Sequence, residues 1–170
     1  YRVDPTWACG FPELSAAQAK KIAGAARVSN PGGYPQGFIS VVKPLIDAGV
    51  LSADALLTDN AVSGYSGGGK KMIEDYEKAG AKASPYMPYG LTLNHKHLAE
   101  MKHYAGLSHD VIFQPVVGNY AQGMLGTVPL FLSMLKKIIS VAAIHEILAK
   151  AYAASTFIEV APLEAIERSP

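Results

Sequence analysis

The sequence predicts an α+β domain built on a mixed sheet. Three observations point there. Helix-prone and strand-prone stretches follow one another without the regular strand–helix–strand period of a doubly wound nucleotide fold. Apolar residues make up 49% of the chain and charged residues 17%, enough to bury a substantial core. The 170 residues suit one domain, residues 1–170, and no repeat or low-complexity linker divides them.

The elements follow in order. Ser15 can cap a short helix over 16–25, rich in Ala, Lys and Gln. The turn Asn30-Pro31-Gly32-Gly33-Tyr34-Pro35 comes next. After it, 37–47 reads as a buried helix carrying Phe38, Ile39, Val41, Val42, Leu45 and Ile46, with Pro44 placed to kink or end it. A strand over 54–62 runs into the loop Ser63-Gly64-Tyr65-Ser66-Gly67-Gly68-Gly69. A helix over 70–78 follows, with Glu74 and Lys78 spaced to pair. Residues 86–93 read as extended, and Asn94 can cap a helix over 95–104. The stretches 111–117 and 124–132 look like strands of a half-buried sheet. An Ala/Ile-rich helix spans 140–153, and 156–161 reads as a last short strand. A closing strand leaves an edge to be covered, which suits further polypeptide beside it.

Composition narrows the function classes. Lys plus Arg number 15 against 14 Asp plus Glu, so bulk charge selects no partner, and no basic stripe with interleaved aromatics suggests nucleic acid. The longest apolar stretch, 123–135, is broken by Pro129 and too short for a membrane span. One cysteine, Cys9, permits no internal disulfide and fits a reducing compartment. These features suggest a cytoplasmic protein without nucleic-acid or membrane partners.

Three segments could carry chemistry. In the Pro-Gly turn, glycine and proline fix a tight elbow that can point one residue at a substrate and aim backbone N–H groups at an oxyanion. The pointed residue, where a nucleophile is expected, is Gly33. The second segment, Gly64 to Lys70, satisfies G-x-x-x-x-G-K between a strand and a helix. It suits a small phosphate. Lys71 stands where a nucleotide P-loop needs Ser or Thr for magnesium, and a plain flexible turn is the alternative. The third is His95-Lys96-His97-Leu98-Ala99-Glu100. A histidine there can work as general acid or base, and a carboxylate can orient it. A metal site lacks a third clear ligand, and a solvated helix face with incidental histidines is the plain alternative. Cys9 has no neighbouring cation in sequence and reads as a small apolar core residue. His103, His109 and His145 read as structural or surface residues.

Several motifs together, in order along the chain, resemble one family. They are Trp7…Gly10-Phe11-Pro12-Glu13-Leu14, Ser29-Asn30-Pro31-Gly32, Tyr34-Pro35, Asn60-Ala61-Val62-Ser63 through Lys70, His95-Lys96-His97…Glu100, and Val117-Gly118…Gln122-Gly123-Met124. From Tyr1 to about Leu163 the chain resembles the catalytic and substrate-binding portion of N-acetyl-γ-glutamyl-phosphate reductase in its short bacterial form. The resemblance implies a mixed, largely antiparallel sheet covered by helices, like the C-terminal domain of glyceraldehyde-3-phosphate dehydrogenase. It implies NADP-dependent reduction of an acyl phosphate to a semialdehyde in arginine biosynthesis, by a homo-oligomer. A cysteine after Asn-Pro-Gly would attack the acyl phosphate, and hydride would reduce the resulting thioester. His95 would be the acid/base. Asn30, His97 and Glu100 would help hold substrate, and Ser63, Gly64, Ser66, Gly67 and Lys70 would hold phosphate. Three departures follow. The nucleophile position is Gly33. The family's N-terminal dinucleotide-binding domain is absent, and no G-x-G-x-x-G occurs, so this chain alone is expected to bind no NADP. The family's C-terminal segment is absent as well. The expectation is a disabled reductase domain. A dimerisation or phosphate-binding module on the same scaffold is the alternative.

Overall fold

A computed structural model describes residues 3–166. Two short strands, β1 (Ala8–Cys9) and β2 (Val28–Ser29), pair in parallel and flank helix α1 (Ala16–Ala23). As expected, the Ser15 hydroxyl caps α1, accepting from the Gln18 amide at 3.1 Å. Helix α2 (Gly33–Asp47) is the central helix, burying Tyr34, Phe38, Ile39, Val42 and Leu45. It begins at Gly33, four residues before the expected start. Pro35 sits in its first turn, where a missing N–H costs nothing.

Pro44 neither ends nor breaks α2. It has no N–H to offer the carbonyl of Ser40, four residues back. The Tyr152 hydroxyl donates to that carbonyl instead, at 2.8 Å. Tyr152 closes helix α5 (Val141–Tyr152), the helix expected over 140–153, whose N-cap Ser140 accepts from the Ala143 amide at 3.2 Å.

The main sheet has four strands in the order β4-β5-β3-β6. They are β3 (Thr58–Gly64), β4 (Tyr86–Pro88), β5 (Ile112–Gly118) and β6 (Met124–Thr127). β3 and β5 run parallel at the centre, and both outer pairings are antiparallel. The sheet is mixed and mostly antiparallel, and the fold is α+β. One face packs on α2 and on α4 (Leu98–Ala105), around Phe38, Leu45, Leu57, Ala61, Met101 and Phe113.

Several boundaries differ from expectation. The strand expected over 54–62 starts at Thr58 and runs on through Ser63 and Gly64. Residues 65–68 form a 3-10 turn before α3 (Lys70–Ala79), where Lys70, not Lys78, pairs with Glu74. The extended stretch from 86 ends at Pro88, because Gly90 and Leu93 take positive φ. Asn94 caps no helix: α4 starts at Leu98 with His97 before it. β6 stops at Thr127, short of Pro129, which has no N–H for a ladder. The strand expected over 156–161 does not form; the Ser155 hydroxyl turns the chain there by accepting from the amides of Phe157 and Ile158.

The central strand buries a carboxyl group. Asp59 on β3 is 1% exposed, and its Oδ1 has no hydrogen-bond partner among the described residues. Burial raises its carboxyl to a pKa of about 6.

Candidate active site

β2 leads through Asn30 and Pro31 into Gly32, the N-cap of α2, which has extended backbone (φ −69°, ψ 145°). No side chain fits at Gly32. A Cβ there would lie 2.5 Å from His97 Nε2 and 2.9 Å from His97 Cδ2 and Cε1. The imidazole of His97 therefore rests against the Gly32 α-carbon. The Gly32 amide donates to Glu100 Oε2 at 3.2 Å, and both residues are buried. His97 stands just before α4 and Glu100 in its first turn, so their three-residue spacing brings both to the same elbow.

His95 lies one ring further out. Its centroid is 4.5 Å from that of His97, 5.1 Å from Phe113 and 6.0 Å from Tyr89. Its Nδ1 accepts from the His97 amide at 3.2 Å. A neutral ring held that way carries its proton on Nε2. His95 is half-buried, whereas His97 is only 9% exposed.

Gly33 is the first residue of α2 and is half-buried. A Cβ on it would meet the end of the Met124 side chain, 2.7 Å from Cε and 3.0 Å from Sδ. A thioether is flexible and can swing aside. Position 33 thus has room for a small side chain, and position 32 has none.

Met124 ties this elbow to the sheet. It opens β6 and pairs in register with buried Ser63, whose parallel partner is Val117. The amides of Gly64, Tyr65 and Ser66 donate to the carbonyls of Gly123, Tyr120 and Ala121 at 2.9, 3.0 and 3.1 Å. Those three N–H groups strap the Gly-rich turn to the β5–β6 connection. Ser66, Gly67 and Asn30 are exposed. The Lys70 side chain is 90% exposed, with its ammonium 3.8 Å from Glu74 of its own helix.

The structure thus brings His97 and Glu100 onto the Gly32 end of the elbow, with His95 packed beyond His97, while Met124, the register partner of Ser63, lies against Gly33. Lys70 and Asn30 lie at the surface. Cys9 is a core residue: burial raises its thiol pKa, against smaller pulls from the Tyr104 hydroxyl and the Phe11 backbone. His103 and His109 are exposed, and His145 Nε2 is 2.8 Å from the Ala161 carbonyl. Among the described residues no group of three or more His, Cys, Asp or Glu could hold a metal ion. Nor is any described helix long and apolar enough to cross a membrane.

Sequence reasoning gave the half-exposed Met124 no role at the elbow. It also missed Tyr34, whose hydroxyl donates to the Val116 carbonyl at 3.3 Å and anchors the start of α2 to β5. The doubled Gly32-Gly33 was the available signal, since adjacent glycines often mark a close approach.

The chain is 52% identical to an N-acetyl-gamma-glutamyl-phosphate reductase of Chelativorans sp. (strain BNC1), matching all of this chain and 56% of that protein. Proteins of the same name from Mesorhizobium japonicum and Brucella ovis are 51% and 46% identical, again with 56% of each covered. The chain therefore spans about half the length of the curated relatives it matches. Residues 33–169 match the dimerisation domain of semialdehyde dehydrogenases, and the chain belongs to that family.

Proposed function

We propose that this chain is the catalytic and substrate-binding domain of an N-acetyl-γ-glutamyl-phosphate reductase, disabled at its nucleophile. One observation carries the reading: residues of the His-x-His…Glu segment meet the Asn-Pro-Gly-Gly elbow at the start of α2. In the working reaction a thiolate at position 33 attacks the acyl carbonyl of the substrate. The C–O bond to phosphate breaks, phosphate leaves, and a thioester forms. The half-buried His95 offers a proton from Nε2 to the developing oxyanion, and it has the access to solvent that the buried His97 lacks. The exposed turn with Ser66, Gly67 and Lys70 receives the leaving phosphate, together with Asn30 at the mouth. Gly33 has no sulfur, so the acyl group has nowhere to go. The chain contains no G-x-G-x-x-G, so the Gly-rich turn is not a dinucleotide fingerprint.

A hybrid tests this. Residues 1–170 replace the matching part of the Chelativorans reductase, with Gly33 retained or with Gly33→Cys, and NADPH consumption is followed with the acyl phosphate. Turnover is expected only in the Gly33→Cys hybrid. Turnover with glycine retained would sink the disabled-enzyme reading, and a folded but silent Gly33→Cys hybrid would sink the site assignment.

A second reading, a dimerisation module, draws on the outer sheet face. A cavity of about 540 Å³ lies there, lined by Tyr86, Tyr89, Leu91, Leu93, Leu125 and other uncharged residues. Tyr86, Leu91, Leu93 and Leu125 are exposed, and such an uncharged apolar face suits a second copy of the chain. Light scattering is expected to give a dimer for the chain and a monomer for Leu125→Lys. A monomeric parent would remove this reading.

A further inference from the structure

We propose that Glu100 is a positioning residue, the helix cap of α2 supplied from another element, and not a substrate ligand. The inference rests on the elbow being the seat of the chemistry, and it assigns that seat its anchor. Helices commonly start on Ser, Thr, Asp or Asn, whose side-chain oxygen accepts an orphan N–H of the first turn. α2 starts on Gly32 and has no side-chain cap. The structure gives the reason: the His97 ring occupies the place of any Cβ at position 32. The same turn that excludes the local cap meets another orphan donor of the helix start: Glu100 Oε2 accepts from the amide of the N-cap residue Gly32, 68 residues away in sequence, the N–H that the glutamate of a capping box serves.

The chemistry of Glu100 fits this role. Its side chain is 1% exposed, and a carboxylate removed from water must be met by donors. The positive end of a fifteen-residue helix is a favourable place for it. The same burial closes it to a substrate arriving from solvent. What Glu100 fixes is the direction of the chain between Pro31 and Tyr34, and so where residue 33 points.

Amide hydrogen exchange followed by NMR tests the proposal on the chain as it stands. Glu100→Met fills the volume without an acceptor, and Glu100→Gln keeps a neutral acceptor. In Glu100→Met, Gly32 is expected to exchange faster by on the order of tenfold to a hundredfold, as for loss of a hydrogen bond to a charged group. Amides deep in α2 and β5, such as Phe38 and Val116, keep their rates. Glu100→Gln is expected to restore most of the protection. If Glu100→Met does not fold, the Gly32 amide resonance in Glu100→Gln decides, with an upfield move expected as the acceptor loses its charge. An unmoved Gly32, or equal acceleration of every amide, would overturn the proposal. The readout is an amide and not turnover, so a failed reductase reading and a failed anchor give different results.

Discussion

Asp59→Val is expected to stabilise the domain at pH 7 by about 3 kcal/mol, the equivalent of roughly two pKa units of differential protonation. The cause is desolvation. Asp59 lies in the central strand β3 at 1% exposure, between buried Leu57 and Ala61, with Oδ1 unpartnered among the described residues. Its folded pKa, about 6, lies above the ordinary 3.8. The folded state therefore holds the proton more tightly than the unfolded state. Below pH 4 both states are protonated and the carboxyl brings no charge penalty. Between about pH 4 and 6 the penalty grows, and above 6 it is fully present. Stability of the unaltered chain falls across that window relative to Asp59→Val. Valine also suits a buried strand position. Urea midpoints at pH 4.5 and pH 7 check this, and the gain should be much larger at pH 7. An equal gain at both values would mean that packing, not charge, explains it.

Gly32→Ala is expected to cost about 3 kcal/mol, at the upper end for overpacking in a filled site. The added methyl would stand 2.5 Å from His97 Nε2. That neighbour is a planar ring, buried and enclosed by Tyr34 and Phe113, so it has little room to yield. Gly33→Ala is the control. Its methyl meets only the free end of Met124, and the cost should stay below about 1 kcal/mol because a thioether repacks. Combining Gly32→Ala with His97→Ala should recover much of the loss, and thermal denaturation of the four forms gives the coupling directly. Equal stability of Gly32→Ala and the parent would show that the imidazole does not rest on the glycine.

Local rules made much of this fold legible. Ser15 marks a helix start because a hydroxyl cap is a local event, readable over three residues. The stretch around Ile112–Gly118 reads as a strand from its own apolar run. What was not legible depends on distant partners. Asn94 has cap chemistry, yet α4 starts four residues later, after left-handed Leu93 and a turn closed by the Leu98 amide on the His95 carbonyl. The elbow residues and the His-x-His…Glu segment were both visible as motifs. That Glu100 serves the Gly32 amide was not visible, because the need for a cap arises only when His97 fills the space above the glycine. Lys70 carries a motif position, but its place at the surface follows from the 3-10 turn before α3, which no spacing rule specifies.

The flaw that proline leaves in α2 acts as an address. A carbonyl deprived of its own helical donor can be reached from only one height along the rod, and the phenol that finds it comes from 112 positions later. Sliding the final rod by one turn, about 5.4 Å, would leave both atoms without a match. A defect in the central cylinder thereby sets the axial register of the last one, which propensity and hydrophobic pattern alone would leave free to drift.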